Sequence, residues 1–390
     1  MRTSGHVVSR PLRGPQFGSY AGDEVAWLLT DLSDVELEAP LEEREEAIQS
    51  GGAHYAETLP IEYQPTQAYQ ELYEAALAAS APRVARAVGL VTEQVLAARG
   101  AGVVLVSLAR AGTPVGVLMR RYAHTRHGLL PPHYALSIVR GRGIDTAALA
   151  WIAEHHPSAD VQFVDGWTGK GAIARELADA VEGANLALGT RFSPRLAVLA
   201  DPGHCTDLFG TRDDFLIPSA CLNSTVSGLV SRTVLNDALI GPGMFHGAKF
   251  YRQLRDADVS TAFVDTVAAS FDDTAVEVDA ALADVNPEMS APTWSGWKAV
   301  ERIATQYGIH DVNLVKPGVG ETTRVLLRRV PWRVLVRRGA DADVAHIRLL
   351  ADQRGAAVEI VDDLPYTAVG LIHPRFTRGA TGFDGRQVAQ

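Results

Sequence analysis

Apolar residues recur along this chain with two alternating periods. The run 103–108 (VVLVSL) is continuous, β-branched and aliphatic, as expected of a strand buried on both faces. Further strand-like runs fall near 135–139, 161–164 and 196–200, and helical spacing occupies 114–123, 144–155 and 171–183. This alternation predicts an α/β fold with a parallel sheet. Upstream, Leu72, Ala75, Ala76 and Ala79, then Val84, Ala87, Val88, Val91 and Val95, predict long helices over 69–100. An acidic run at 34–46 is solvated or helical, and residues 1–20 read as an arm. The turn-rich stretch 286–297 (NPEMSAPTWSGW) marks a linker. Beyond it, helices at 297–307, 321–328 and 344–354 and strands at 332–336 and 358–361 are expected, with a short terminal helix over 364–371. The expected organisation is a body over 1–290, a small α-β-α domain over 298–375 and a tail over 376–390.

Two glycine turns follow predicted strands. The run 161–164 ends in Asp165, after which Gly166, Trp167, Thr168, Gly169, Lys170 and Gly171 lead into a helix. The run 103–108, with Ser107 near its end, passes through Ala109, Arg110, Ala111, Gly112 and Thr113 into another. A strand end, a small-residue turn and a helix N-terminus together direct backbone N–H groups at an anion. Arg110 adds a fork of donors, and two such loops suit a ligand with phosphate at both ends. A nucleoside-triphosphate loop is not formed, because Val164 and Gly171 replace its first Gly and its final Ser or Thr. Arg140 and Arg142 lie in a basic turn after the strand near 135–139, suited to closing over a diphosphate.

The runs SLARAGTPVGVLMRRY and FVDGWTGKGAI resemble the pyrophosphate and PRPP loops of type I phosphoribosyltransferases. Over almost its full length the chain is similar to the phosphoribosyltransferase proteins of bacterial tellurite-resistance clusters, a family also described as cysteine protease StiP. IQSGGAHYAETLP, HYALSIVRGRGID, GTRDDFLIPSACLNSTVSGLVSRTV, FHGAKFYRQL and VKPGVGETTRVLLRRVPWRVLV carry that similarity. The resemblance implies a phosphoribosyltransferase-like sheet with an N-terminal helical hood and a Pelota-like RNA-binding domain. It implies transfer of a phosphoribosyl group from PRPP, with Mg²⁺ bound through the phosphates. Asp165, Arg110, Arg140 and Arg142 would be catalytic. Ser107, Ala111, Gly112, Thr113, Gly166, Trp167, Thr168, Gly169, Lys170, Gly171, Arg212, Asp213 and Arg232 would line the substrate pocket. Lys316, Gly318, Gly320, Glu321, Arg324 and Arg328 would contact RNA. The match departs at Asp165–Gly166, where the family's two adjacent acids are reduced to one and the spacer is shorter.

Charge and cysteine content refine this picture. The chain has 390 residues and a net charge of −10, but the segment from Lys298 onward carries +4 and the remainder −14. That asymmetry favours an anionic partner at the C-terminal end. No apolar run approaches 18 residues and the N-terminus lacks a signal-like segment, so a cytoplasmic protein, open to homodimerisation, is expected. Two cysteines form no disulfide framework. They supply an alternative chemistry, a cysteine hydrolase with Cys221 as nucleophile and His246 or His204 as its partner. A non-catalytic nucleotide sensor that binds RNA is the third reading. His204, Cys205 and Asp207 fit no standard metal spacing, and His54, Tyr55 and Glu57 either cap the pocket or end the N-terminal layer.

Overall fold

Alternation of buried side chains from one strand residue to the next builds the body of the protein. In the computed structural model, which describes residues 10–39, 56–62, 65–284, 287–329 and 331–372, Val103 and Leu105 enter one apolar layer, while Val104, Val106 and Leu108 enter the other. The strands are β1 (Leu12–Arg13), β2 (Ala26–Trp27), β3 (Val104–Ala109), β4 (His133–Val139), β5 (Val161–Trp167), β6 (Leu196–Ala200) and β7 (Leu208–Thr211). They lie in the order β1-β2-β4-β3-β5-β6-β7, and every neighbouring pair from β2 onward is parallel. Helices α1 (Gln67–Arg99), α2 (Thr113–His127), α3 (Thr146–His155) and α4 (Ala172–Leu188) connect and cover them. In α4 the buried positions Leu177, Val181 and Ala184 repeat at helical spacing against the sheet. Two more helices, α5 (Ser260–Ala268) and α6 (Phe271–Ala283), join α1 and α2 on the opposite face.

Two expectations need correction here. One unbroken helix spans 67–99 through Pro82. Before it, the described residues form two-residue strands and turns rather than a helical hood. Val25 to Leu29 are all buried in succession and Leu28 N donates to Ala135 O, so this segment extends along the sheet edge. His54 and Tyr55 lie outside the described residues.

The C-terminal unit contains α7 (Ser295–Gln306), β8 (Val315–Pro317), α8 (Val319–Arg328), β9 (Pro331–Arg337), α9 (Asp341–Gln353), β10 (Ala357–Val361) and β11 (Ala368–Ile372). Its mixed sheet runs β8-β11-β9-β10. The expected terminal helix is instead β11, which pairs with both β8 and β9. A five-residue apolar run is long enough for a central strand but too short to fix a helical period. Val319, Leu326 and Leu327 of α8 share one continuous apolar layer with Phe215, Leu216 and Ile217 of the body. The two units therefore share an apolar contact, at the carboxyl ends of the body's parallel strands.

Candidate functional site

The loop after β6, residues 201–207, is organised around the fully buried carboxylate of Asp201. It accepts from Cys205 N at 2.8 Å, Thr206 N at 3.2 Å, Arg212 Nη1 at 2.8 Å and Thr168 Oγ1. This ties the loop to the turn after β5 and holds Cys205 against the N-terminus of α4. A Cβ placed on Gly171, which has φ of 82°, would stand 2.7 Å from Cys205 Sγ. Only glycine admits both that backbone and that approach. Cys205 is 5% exposed. Burial, then the Asp201 charge, pushes its thiol up to about 12, opposed by Thr168, Arg175 and Arg212.

The C-terminal unit closes this pocket. Tyr366 Oη donates to Gly169 O at 3.1 Å, and the amides of Thr293 and Trp294 donate to His204 O at 3.1 and 3.0 Å. Arg175 lies between the rings of Trp294 and Trp297, at 4.7 and 4.3 Å. Trp294 and His204 both have positive φ, 56° and 53°, a conformation that costs non-glycine residues about 1–3 kcal/mol. The loop and its cover are both locally strained.

The expected substrate residues are divided among several sets of partners. Arg110, after a cis Ala109–Arg110 peptide, donates to Glu62 at 3.0 Å and to Asn223 at 2.7 Å. Lys170 donates instead to Val312 O at 2.6 Å and Asn313 Oδ1 at 3.2 Å, in the C-terminal unit. These two side chains share no hydrogen-bond partner among the described residues. Arg142 stands 3.8 Å from Glu57, and Arg232 donates to Thr58 O at 2.8 Å. Arg212 serves Asp201, whereas Asp213 is exposed and pairs with Arg83. Ser107 bonds Gly112 O and His133 Nε2 inside the core, and Thr113 is fully buried at the start of α2. Burial raises Asp165 to about 6, and its carboxylate accepts from Gly166 N. Gly112 and Gly166 approach other backbone closely, at Val164 and Ala111.

The segment expected to meet RNA faces the body. Val319 N donates to Asp214 Oδ1, Gly320 lies against Trp167, and Arg324 stacks on Trp167 at 4.5 Å. Glu321 pairs with Arg324 at 3.1 Å. Gly318 and the N-terminus of α8 thus receive an internal carboxylate where a phosphate was expected. The side chain of Arg328 lies outside the described residues.

Comparison with known proteins gives the family. Residues 18–268 match a family described as "Tellurite-like stress resistance cysteine protease StiP", and residues 294–374 match a "PELOTA RNA binding domain". A protein of Acinetobacter baylyi (strain ATCC 33305 / BD413 / ADP1) named "Cysteine protease StiP" is 35% identical over 380 residues, covering 91% of this chain and 94% of that protein. The chain belongs to the StiP family. No solved structure matches it.

StiP membership overturns the expectation of phosphoribosyl transfer, since both the family and the relative carry the name of a cysteine protease. It favours the cysteine alternative without identifying its residues. Cys221 is 1% exposed in the main core, where its carbonyl accepts from Tyr69 Oη at 3.1 Å and its amide donates to Pro218 O at 3.0 Å. Burial pushes its thiol up to about 12. His246 is occupied elsewhere, with Nδ1 at 2.8 Å from Ser137 Oγ and its amide donating to Asp145. Sequence reasoning weighs Cys205, beside His204 and before Asp207, and finds it no better supported than Cys221; its position just after the strand near 196–200 is the signal it leaves unused. Among the described residues, no group of three or more His, Cys, Asp or Glu side chains is placed to hold a metal ion, and Asp207 pairs with Arg195 instead. No described helix is long and apolar enough to cross a membrane.

Proposed function

We propose that this StiP-family chain is a cysteine-dependent hydrolase in stress resistance, with Cys205 as its nucleophile and RNA as the partner of its Pelota domain. The carrying observation is position. Cys205 stands at the carboxyl ends of parallel strands and at a helix N-terminus, beside Arg175 and Arg212, whereas Cys221 is enclosed in the core. Strand ends are where open α/β sheets act on ligands, and helix dipoles and arginines favour a thiolate.

The covered form is a resting form. Displacement of residues 291–294 rehydrates the thiol and removes burial, the largest cause of its high pKa. His204, held neutral by burial and by Arg212, is the proton acceptor. No hydrogen bond joins it to the sulfur in the covered form, so its ring turns as the cover leaves. The thiolate adds to a carbonyl carbon, the C–N bond breaks, and His204 returns the proton to the departing amine. Water then hydrolyses the thioester.

Cys205→Ser and Cys221→Ser variants test this reading on fluorescently labelled casein. Loss of cleavage in the first alone is expected, and retained cleavage there removes Cys205 from the chemistry.

A further inference from the structure

The stretch that covers Cys205 is held as a bound peptide is held, by its main chain and by one side chain. Arg212 Nη2 donates to Ser290 O at 2.8 Å, the amides of Thr293 and Trp294 both reach His204 O, and Gly296 N donates to Gly203 O at 3.2 Å. Main-chain bonds of this kind accept any sequence, and a pocket for a single side chain then supplies selectivity. Ala291, Pro292 and Thr293 are exposed, whereas Trp294 is half-buried and lies against Gly171.

The space taken by that indole suits an aromatic ring. A Cβ on Gly171 would stand 2.4 Å from Trp294 Cζ3 and 2.7 Å from Cys205 Sγ, so ring and sulfur flank one point that any larger residue would fill. The Arg175 guanidinium lies over the same ring, 4.7 Å from its centroid, and over that of Trp297 at 4.3 Å. A cation over the ring face favours an aromatic over an aliphatic occupant by about three- to thirtyfold in binding. Trp294 holds a φ of 56°, a backbone conformation that is unfavourable without glycine. The internal occupant is therefore strained, and a peptide free of that constraint can take its place.

We infer that the space filled by Trp294 is an aromatic subsite of the Cys205 centre, and that the substrate is a polypeptide with Trp, Tyr or Phe beside the bond that breaks. Residues 290–294 stand in for that polypeptide in the covered form. Gly171 provides the room, Arg175 the cationic face, and the carbonyls of Gly203 and His204 the main-chain acceptors. This assignment rests on Cys205 being the nucleophile, as proposed above.

Binding to the subsite can be read without turnover. In full-length Trp294→Ala the indole is removed, and iodoacetamide labelling of Cys205 is timed with and without millimolar N-acetyltryptophanamide. The amide should slow labelling about fivefold or more, N-acetylleucinamide should slow it less than about twofold, and adding Arg175→Gln should erase the difference between them. Trp294→Leu, which keeps apolar volume at the position, replaces the first variant if that one folds poorly. In parallel, a fluorogenic peptide library is read for the residues flanking the cleaved bond, where aromatic side chains should be preferred. Protection by the tryptophan amide without any Cys205-dependent hydrolysis supports the subsite while removing the protease reading. Equal protection by both amides, or protection by neither, overturns the subsite even where Cys205 hydrolyses peptides.

Discussion

The carboxylate of Asp214 accepts the amide of Val319 at 2.8 Å and that of Thr367 at 2.8 Å. One body side chain thereby caps helix α8 and fixes the end of the chain that leads into β11. Because Asp214 sits in the turn-rich region after β7, the arrangement couples strand-tip loops to the Pelota-like unit. The same interface covers Cys205 through Tyr366 and Trp294 and brings Lys170 to Asn313.

Removing that cap should be costly. Asp214→Ala is expected to lower stability by about 2–4 kcal/mol, combining a lost helix cap with an unsatisfied buried amide. Urea denaturation with unchanged m-value is the check. A loss below about 0.5 kcal/mol would mean that water replaces the carboxylate.

Arg110 and Glu62 form a pair in which both side chains are mostly buried, 15% and 9% exposed. Arg110→Ala alone should cost about 3–5 kcal/mol because it strands a buried charge. The double variant with Glu62→Ala should recover part of that loss. A double-mutant cycle with no coupling would contradict the pairing.

Acid stability should depend on two enclosed imidazoles. Burial lowers His133 and His346 to about 4 from the usual 6.5. Between those values the unfolded chain binds protons that the folded chain does not, so their contribution is complete above pH 6.5 and fades as pH falls toward 4. Each is worth about 3 kcal/mol by this linkage. Asp165 and Asp214, raised to about 6, act in the opposite sense, giving stability at low pH that is lost as pH rises from about 4 to 6. His346→Gln, keeping a partner for Thr323 Oγ1, should therefore flatten the acid limb of a stability–pH curve. An unchanged slope would show that His346 titrates normally.

The cover over Cys205 makes a kinetic prediction. Trp294→Ala should speed modification of Cys205 by iodoacetamide about tenfold or more, and shift its pH midpoint downward, because hydration favours the thiolate. Cys221 should stay unmodified. Peptide mapping by mass spectrometry distinguishes the two, and equal labelling of both would mean global loosening instead.

Much of the scaffold was legible from residue patterns. The strand runs near 103–108, 135–139, 161–164 and 196–200 are short, β-branched and bounded by turns, and each lies within or beside an observed strand. The glycine turn at Gly169–Gly171 was visible as a strand-to-helix connection, but its meaning was not. Gly171 admits Cys205 and Trp294, which are 34 and 123 positions away, so no local window contains the reason. Arg110 and Lys170 each looked like phosphate donors, yet Glu62 and Asn313 reach them from distant segments. The run 368–372 was ambiguous because five apolar residues suit either period.

The central claim is that Cys205 performs the chemistry, and turnover of a fluorogenic peptide library tests it most directly. Wild type and Cys221→Ser should hydrolyse the same members at rates within about threefold, while Cys205→Ser should fall by about a thousandfold or more. Hydrolysis by Cys205→Ser at the wild-type rate, or loss confined to Cys221→Ser, would contradict the account.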